Sequence, residues 1–209
     1  MALIKGLLAA FPDSLLGGLP TILIFQYNPT EVTRVFTVQA SETGKQPSGT
    51  ALNVVGPAPE DYSVKLEFDA TDGLERGGPL TTAFGISPRL AALEMLMQPV
   101  GSSLLGDLAG ALLGGGGGAA VPPTKLPLTL FMWGPGRITP VRLKSLTITE
   151  TAFDELLNPI HASADLSFTV LREADLGKGD TFARAAAKYY QGSREVKAVL
   201  QLAQIPELA

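Results

Sequence analysis

The clearest pattern along the chain is a strict alternation of apolar and polar positions. Residues 61–69 carry an apolar side chain at every second position: Tyr62, Val64, Leu66 and Phe68. Successive side chains of a β-strand point to opposite faces of the sheet. The pattern therefore predicts a strand with one buried and one wet face.

Five further segments carry strand patterns, at residues 21–27, 33–39, 126–133, 139–151 and 161–171. Within 139–151 the apolar positions shift by one residue, from Val141 and Leu143 to Leu146 and Ile148, which predicts a β-bulge. The last two segments are joined by residues 152–159, a length that suits an antiparallel pair. Six strands are predicted in all.

Three segments have helical patterns. Ser87 and Pro88 favour a helix start, because proline is well accommodated in the first turn, and this helix ends before Pro99. Another helical region follows Asp180, is interrupted by glycine and serine at 192–193, and then continues. At the other end of the chain, the apolar spacing of residues 4, 7, 8 and 11 predicts a short amphipathic helix.

These elements divide the chain into an amphipathic arm at 1–20, a β domain at 21–175 and a helical tail at 176–209. Residues 100–124 are almost entirely small or apolar and include five consecutive glycines, which predicts a long insertion within the β domain. Neither this segment nor the start of the chain fits a membrane span or a cleaved signal, so no direct membrane insertion is expected. The predicted fold class is mainly β, an antiparallel barrel or sandwich with an internal helix and a C-terminal helical tail.

Composition adds the expectation of buried subunit surface. Charged residues make up 17% of the chain, against roughly a quarter in typical soluble domains, while 45% of residues are hydrophobic. Such a surface suits broad contact with other subunits, although a genome that favours Ala, Gly and Pro would give a similar bias. The net charge of -4 argues against nucleic acid as a partner.

The residues give little support to catalysis. The chain has one histidine, His161, and no cysteine, so neither a usual zinc site nor a catalytic thiol is expected, and no cofactor is predicted. The glycine run lacks the Lys-Ser/Thr of a phosphate-binding loop. A hydrolase that uses Glu150, Asp154 or Asp165 as paired carboxylates stays open as an alternative.

Two stretches carry a resemblance to a known family. The first is IFQYNPTEVTR at 24–34, and the second is LTITETAF at 146–153 followed by LNPIHA at 157–162. In this order, with a helix between them, they resemble the tube-type proteins of contractile injection systems. Within that family they look most like the baseplate subunit that joins the inner tube to the spike. The resemblance covers about residues 21–171.

The resemblance implies a tube-type antiparallel β fold and a non-enzymatic, hexameric ring around a lumen. It implies contacts with the inner tube protein, the spike protein and the baseplate wedge or sheath adaptor, and assembly in the cytoplasm into a phage-tail-like particle. Many relatives end in a LysM module. The residues after Leu171 lack the paired repeat of that module, so peptidoglycan binding is not expected.

The candidate subunit contacts lie at the two motif turns and on the basic C-terminal helix. They are Phe25, Asn28, Pro29, Arg34, Phe153, Asn158, Pro159, Arg184 and Lys188. Among them Arg34 is the strongest, since its planar guanidinium can pair with the carboxylate of a neighbouring subunit. Two other functions stay open: a tube terminator or cap with the same fold, and a ligand-binding β-sandwich that presents Tyr62 and Trp133.

Overall fold

A single antiparallel sheet organises the chain. The computed structural model describes residues 4–11, 20–38, 56–98 and 125–204. Its seven strands are β1 (Leu7–Phe11), β2 (Thr21–Ile24), β3 (Val32–Phe36), β4 (Glu60–Asp69), β5 (Leu128–Met132), β6 (Ile138–Phe153) and β7 (Pro159–Val170). They lie in the order β2-β1-β5-β6-β7-β4-β3, and every neighbouring pair is antiparallel.

The helices fall in two places, between β4 and β5 and after β7. The first group contains α1 (Thr71–Glu75), α2 (Pro79–Phe84) and α3 (Ser87–Glu94), with a 3-10 turn at Met95–Met97. The second contains a 3-10 turn at Glu173–Asp175 and the long α4 (Thr181–Gln204). The helix predicted from Ser87 and Pro88 is thus confirmed.

The mainly β class, the internal helix and the C-terminal helix are confirmed, but the sheet is not closed into a barrel. Among the described strands, β2 and β3 form the two ends of the sheet and do not pair with each other. The helix α3 packs against β2 and buries Leu90 and Leu93. The Gln26 side chain, just after β2, makes hydrogen bonds of 2.7 and 3.1 Å to the backbone of Asp69 at the end of β4.

One face of the sheet forms the core. The four apolar residues of the alternating segment in β4 are each at most 4% exposed, as predicted, and a row of aromatic rings crosses the strands beside them. Phe131 is central, with its ring centroid 5.6 Å from that of Tyr62 and 6.0 Å from that of Phe168. Gly6 lies under this row, where an added Cβ would come within 2.7 Å of Phe25.

The predicted bulge in β6 is confirmed. The pairing of β6 with β7 shifts register between Leu143 and Ser145, so that Leu143 and Leu146 both face inward, opposite Phe168 and Leu166. The extra residue in the bulge is Lys144, and its Nζ lies 3.2 Å from an Asp61 carboxylate oxygen on the outer face. In a regular strand, residues three positions apart point to opposite faces. The bulge adds one residue, and so Leu143 and Leu146 both reach the core face.

Two helix predictions are wrong. Leu7–Phe11 is a strand between β2 and β5, because two flanking strands satisfy its backbone and Leu8 and Ala10 face the core. The C-terminal region is one continuous helix, since glycine at 192 costs about 1 kcal/mol in a helix interior but does not break it. The predicted insertion at 100–124 and most of the predicted arm at 1–20 lie outside the described residues.

Candidate functional site

A buried carboxylate joins the edge of the sheet to α4. Glu60 is the first residue of β4, has the same parity as the core residues of that strand and is 3% exposed. Arg34, on the edge strand β3, donates to Glu60 Oε1 from Nε at 3.0 Å and from Nη2 at 2.7 Å. This paired geometry supplies the charged partner that a buried carboxylate requires.

The helix contributes the remaining partners. The Tyr190 hydroxyl lies 2.9 and 3.0 Å from the two carboxylate oxygens of Glu60, and Arg194 Nη1 donates to Oε2 at 3.0 Å. The Tyr62 hydroxyl, from the core face, is 3.1 Å from that of Tyr190. Two guanidinium groups therefore share one carboxylate, and we call these five residues the Glu60 cluster.

Electrostatics and ring contacts reinforce the cluster. Burial, then the hydrogen bond with Tyr62 and the nearby Glu60 carboxylate, raises the pKa of the Tyr190 hydroxyl. Burial acts to lower the pKa of Arg34, but the hydrogen bond to Glu60 and the charge interactions with Tyr62, Glu60 and Tyr190 together outweigh this effect, and the pKa is raised. Both arginines also contact the Phe36 ring, with Cζ atoms 5.2 and 5.1 Å from its centroid. The cluster thus holds α4 on the edge of the sheet.

The cluster gives Arg34 a carboxylate partner within its own chain, Glu60. Its contact with a neighbouring subunit stays a prediction. Glu60 and Tyr190 are not among the residues predicted from the sequence, and Arg194 is not among the predicted subunit contacts. A signal for Glu60 was present, because a charged residue stood at the core parity of the alternating segment. A charge in that position needs a partner inside the fold.

A groove opens beside the cluster, between α4 and the adjoining ends of β4 and β7. Its volume is about 720 Å³, and its lining combines Glu60 with charged residues of α4 and of the preceding turn. Arg184 forms an ion pair with Glu173 and donates to the carbonyl of Leu176 at 3.3 Å. Lys188 Nζ is 3.3 Å from Glu173, and its side chain is 65% exposed. Of these two predicted contacts, Arg184 serves the fold and Lys188 faces solvent.

The turn between β6 and β7 is held in one shape by Asp154. Its Oδ1 accepts from the backbone N–H of Leu156 and of Asn158, both at 2.8 Å, and its Oδ2 accepts from the Asn158 side chain at 2.9 Å. The hydrogen bond from the Asn158 amide lowers the pKa of Asp154. Leu157 adopts a positive φ of 64° at the tip.

This fixed turn presents apolar side chains to solvent. Leu156 and Leu157 are each 78% exposed, and Phe153 beside them is 47% exposed. Pro159, predicted as a contact, is buried, and Asn158 is used within the turn. Of the residues predicted at this turn, Phe153 therefore remains a candidate contact. The two leucines are new candidates, because the sequence of a turn does not reveal their exposure. We call these three residues the hairpin tip.

The other motif turn is largely internal. Asn28 accepts a hydrogen bond from the Gly6 N–H and donates one to the Ile4 carbonyl, both at 2.9 Å, so it ties the chain before β1 to the chain after β2. Pro29 beside it is half-buried. Phe25 is 1% exposed and packs on Phe131 and Trp133, which removes it from the candidate contacts.

Both end strands expose apolar side chains. Ile22 and Ile24 of β2 are each 57% exposed, and Val35 and Phe36 of β3 are 50% and 45% exposed. Edge strands of soluble proteins commonly carry charged residues or proline that prevent pairing with another chain. The exposed positions of β2 are branched and apolar instead, a composition suited to contact with a further strand.

The groups considered for chemistry are dispersed or already engaged. Glu150 pairs with Ala162 and Asp165 with Thr147, three residues apart along the β6–β7 ladder and on opposite faces, while Asp154 is committed to its turn. His161 Nδ1 lies 2.7 Å from Thr151 Oγ1. No group of three or more acidic or histidine residues suited to a metal ion occurs in the described ranges.

The two aromatic residues named for a ligand-binding face, Tyr62 and Trp133, do not form one on the described sheet. Tyr62 is fully buried, and Trp133 packs against the core.

Comparison with protein-family models and with curated proteins finds no match to this chain. None of the helices in the described part of the chain has the length and hydropathy that a membrane crossing requires.

Proposed function

We propose that this chain is a non-enzymatic structural subunit of a contractile injection system, the baseplate ring that starts the inner tube and links it to the spike. The proposal rests on the family resemblance and on one structural observation, the open sheet with exposed apolar positions on both end strands. Assembly would take place in the cytoplasm, as a hexamer, with the inner tube protein, the spike and a wedge or sheath adaptor as partners.

The two ends of the sheet differ, which favours a ring over a two-fold pair. Contact of β2 of one copy with β3 of the next is head-to-tail, and such a contact generates a closed ring when the rotation per subunit divides the circle. Each new edge pairing would satisfy backbone groups that the isolated sheet leaves to solvent. The sixfold number comes from the resemblance.

The hairpin tip supplies a second surface for this role. Phe153, Leu156 and Leu157 are exposed on a turn that Asp154 already holds in one conformation. Binding through a fixed loop loses little conformational entropy, and apolar side chains at the centre of a contact contribute most of its affinity. This geometry suits docking onto the tube, the spike or the adaptor.

Electron microscopy of particles from cells that lack this chain tests the proposal. Loss of assembled particles, or loose parts only, is the expected result, because the inner tube has nothing on which to start. Tubes and sheaths of uncontrolled length would assign the chain to the terminator instead. Particles of normal length and shape would overturn the proposed role.

Complementation with edge variants tests the ring contact itself. We expect Ile22→Lys or Val35→Lys to fail to restore particles, since a charge on either end strand opposes pairing with the next copy. Leu80→Lys is the matched control, because Leu80 is 70% exposed but lies on α2, away from both edges. Circular dichroism of the purified variants verifies that they fold, and full rescue by both edge variants would contradict the contact.

A further inference from the structure

The outward side of α4 carries a regular apolar row. The helix packs on the body through Ala183, Ala187 and Tyr190. Residues advance by about 100° along a helix, so the row begins beside this face and turns away from it toward the C-terminal end. It repeats every seven positions, at Phe182, Tyr189, Val196 and Ala203. Exposure rises along it, from 36% at Phe182, whose ring still packs edge-on against Phe11 at 5.2 Å between centroids, to 51% at Tyr189 and 59% at Val196.

A second row follows three positions after the first. Its members are Ala185, Gly192 and Val199. Together the two rows form the alternating three-and-four spacing by which helices pack side by side in coiled coils. Gly192 has no atom within 4 Å of the position an added Cβ would take, so the described fold does not require glycine there. Close approach of another helix is a reason for a small residue at that point.

When a second copy of α4 is placed antiparallel to the first, the first row of each helix faces the second row of the other. Placing Tyr189 opposite Gly192 of a second copy defines an antiparallel register with a two-fold axis between them. The same register sets each remaining larger residue of the first row opposite one of the second: Val196 opposite Ala185, and Phe182 opposite Val199. Large side chains then face small or branched ones along the whole overlap, as packing of side chains into holes requires.

Charge selects the same arrangement. Lys188 and Glu195 flank the rows on one side, and in the antiparallel register each faces the other residue of the second copy. Both are exposed, with Lys188 also near Glu173 and Glu195 accepting from Gln191 at 2.8 Å within the chain. In a parallel pair they would face Ser193 and Leu200 instead, so the reciprocal ion pairs belong to the antiparallel register.

We propose that the free chain forms a two-fold dimer in which α4 pairs antiparallel with α4 of a second copy. The bodies lie on the outer sides of the helix pair, because each helix packs on its own body mainly through Ala183, Ala187 and Tyr190, away from the seam. This contact is isologous and differs from the head-to-tail contact of a ring. It therefore stands or fails independently of the proposed role in the particle.

Sedimentation velocity of the purified full chain tests the dimer. We expect a concentration-dependent dimer that Lys188→Glu or Glu195→Lys weakens about tenfold, since each reversal creates two like-charged contacts. The double variant exchanges the charges and restores wild-type affinity. Lys178→Glu, outside α4, makes the same change in net charge as Lys188→Glu and leaves the dimer unchanged. A monomer at all concentrations, or reversal without effect or without rescue, would overturn the proposal.

Cysteine crosslinking tests the register on a chain that has no cysteine of its own. Ala185→Cys and Val196→Cys are made as separate variants and mixed under oxidising conditions. We expect a disulfide only between the two variants, because identical positions lie about 16 Å apart along the pair, beyond the reach of a disulfide. Crosslinks within either variant alone, or none in the mixture, would refute the antiparallel register.

Discussion

Removing the Tyr190 hydroxyl from the Glu60 cluster measures how much its hydrogen bonds contribute to the free energy of unfolding. Tyr190→Phe keeps the ring but deletes the group that lies 2.9 and 3.0 Å from the Glu60 oxygens. A hydrogen bond to a charged group contributes about 1.5–3 kcal/mol. The Tyr62 hydroxyl, fully buried, also loses its neighbour at 3.1 Å. We therefore expect the free energy of unfolding to fall by about 2–3 kcal/mol.

The adjacent residue provides the control. Tyr189→Phe removes the same atom from a side chain that is 51% exposed, and surface changes of this kind stay within about 0.5 kcal/mol. Thermal unfolding followed by circular dichroism measures both variants at equal, low protein concentration. For a chain of this size, the expected loss corresponds to a Tm lower by about 4–12 °C for Tyr190→Phe. Equal Tm values for the two variants would refute the conclusion that the cluster holds α4 on the sheet.

Two further perturbations address the core and the hairpin tip. Gly6→Ala should destabilise the fold by about 1–3 kcal/mol, because its Cβ would lie 2.7 Å from Phe25. Gly179→Ala is the control, since an added Cβ there meets open space and should be neutral. Chemical denaturation measures the free energy of unfolding of both variants. Asn158→Ala should raise the pKa of Asp154 in an NMR titration, because the amide hydrogen bond lowers it. Since the folded pKa is depressed, the contribution of Asp154 is present above its unfolded pKa of about 3.9 and is lost as pH falls through the folded value. An unchanged pKa in the variant would contradict the role given to Asn158.

The sequence predicts an element correctly where its apolar positions repeat with a spacing that fits only one kind of secondary structure. The alternation in β4 and the parity shift in β6 are both present in the structure, because each follows from two-residue periodicity alone. The apolar spacing of Leu7–Phe11 fits a helix as well as a strand. Its partners opposite Leu7 decide between the two: Ile24, beyond an intervening loop, and Met132, far away along the chain.

The candidate site was predicted less completely for a related reason. Turn chemistry is local, so the sequence indicated the Asn158 turn, but the exposure of Leu156 and Leu157 depends on how far the hairpin projects. The sequence indicates the importance of Arg34, whereas Tyr190, which it contacts, and Arg194, which shares Glu60 with it, come from a helix more than 150 positions later. Contacts at such separations follow from the topology and leave no periodic trace in the sequence.

The central position of β1 has a consequence for synthesis. Its partner on one side, β2, leaves the ribosome almost at once, but Phe131 of β5, opposite Leu8, follows roughly 120 residues later. At about 5–20 residues per second, that interval lasts about 6–24 s. During this time the inner edge of the nascent β1–β2 hairpin is open to chaperones and to other chains. The pairs β1–β2 and β3–β4 are connected through β5, β6 and β7, so the two halves of the sheet can join only after β7 has emerged.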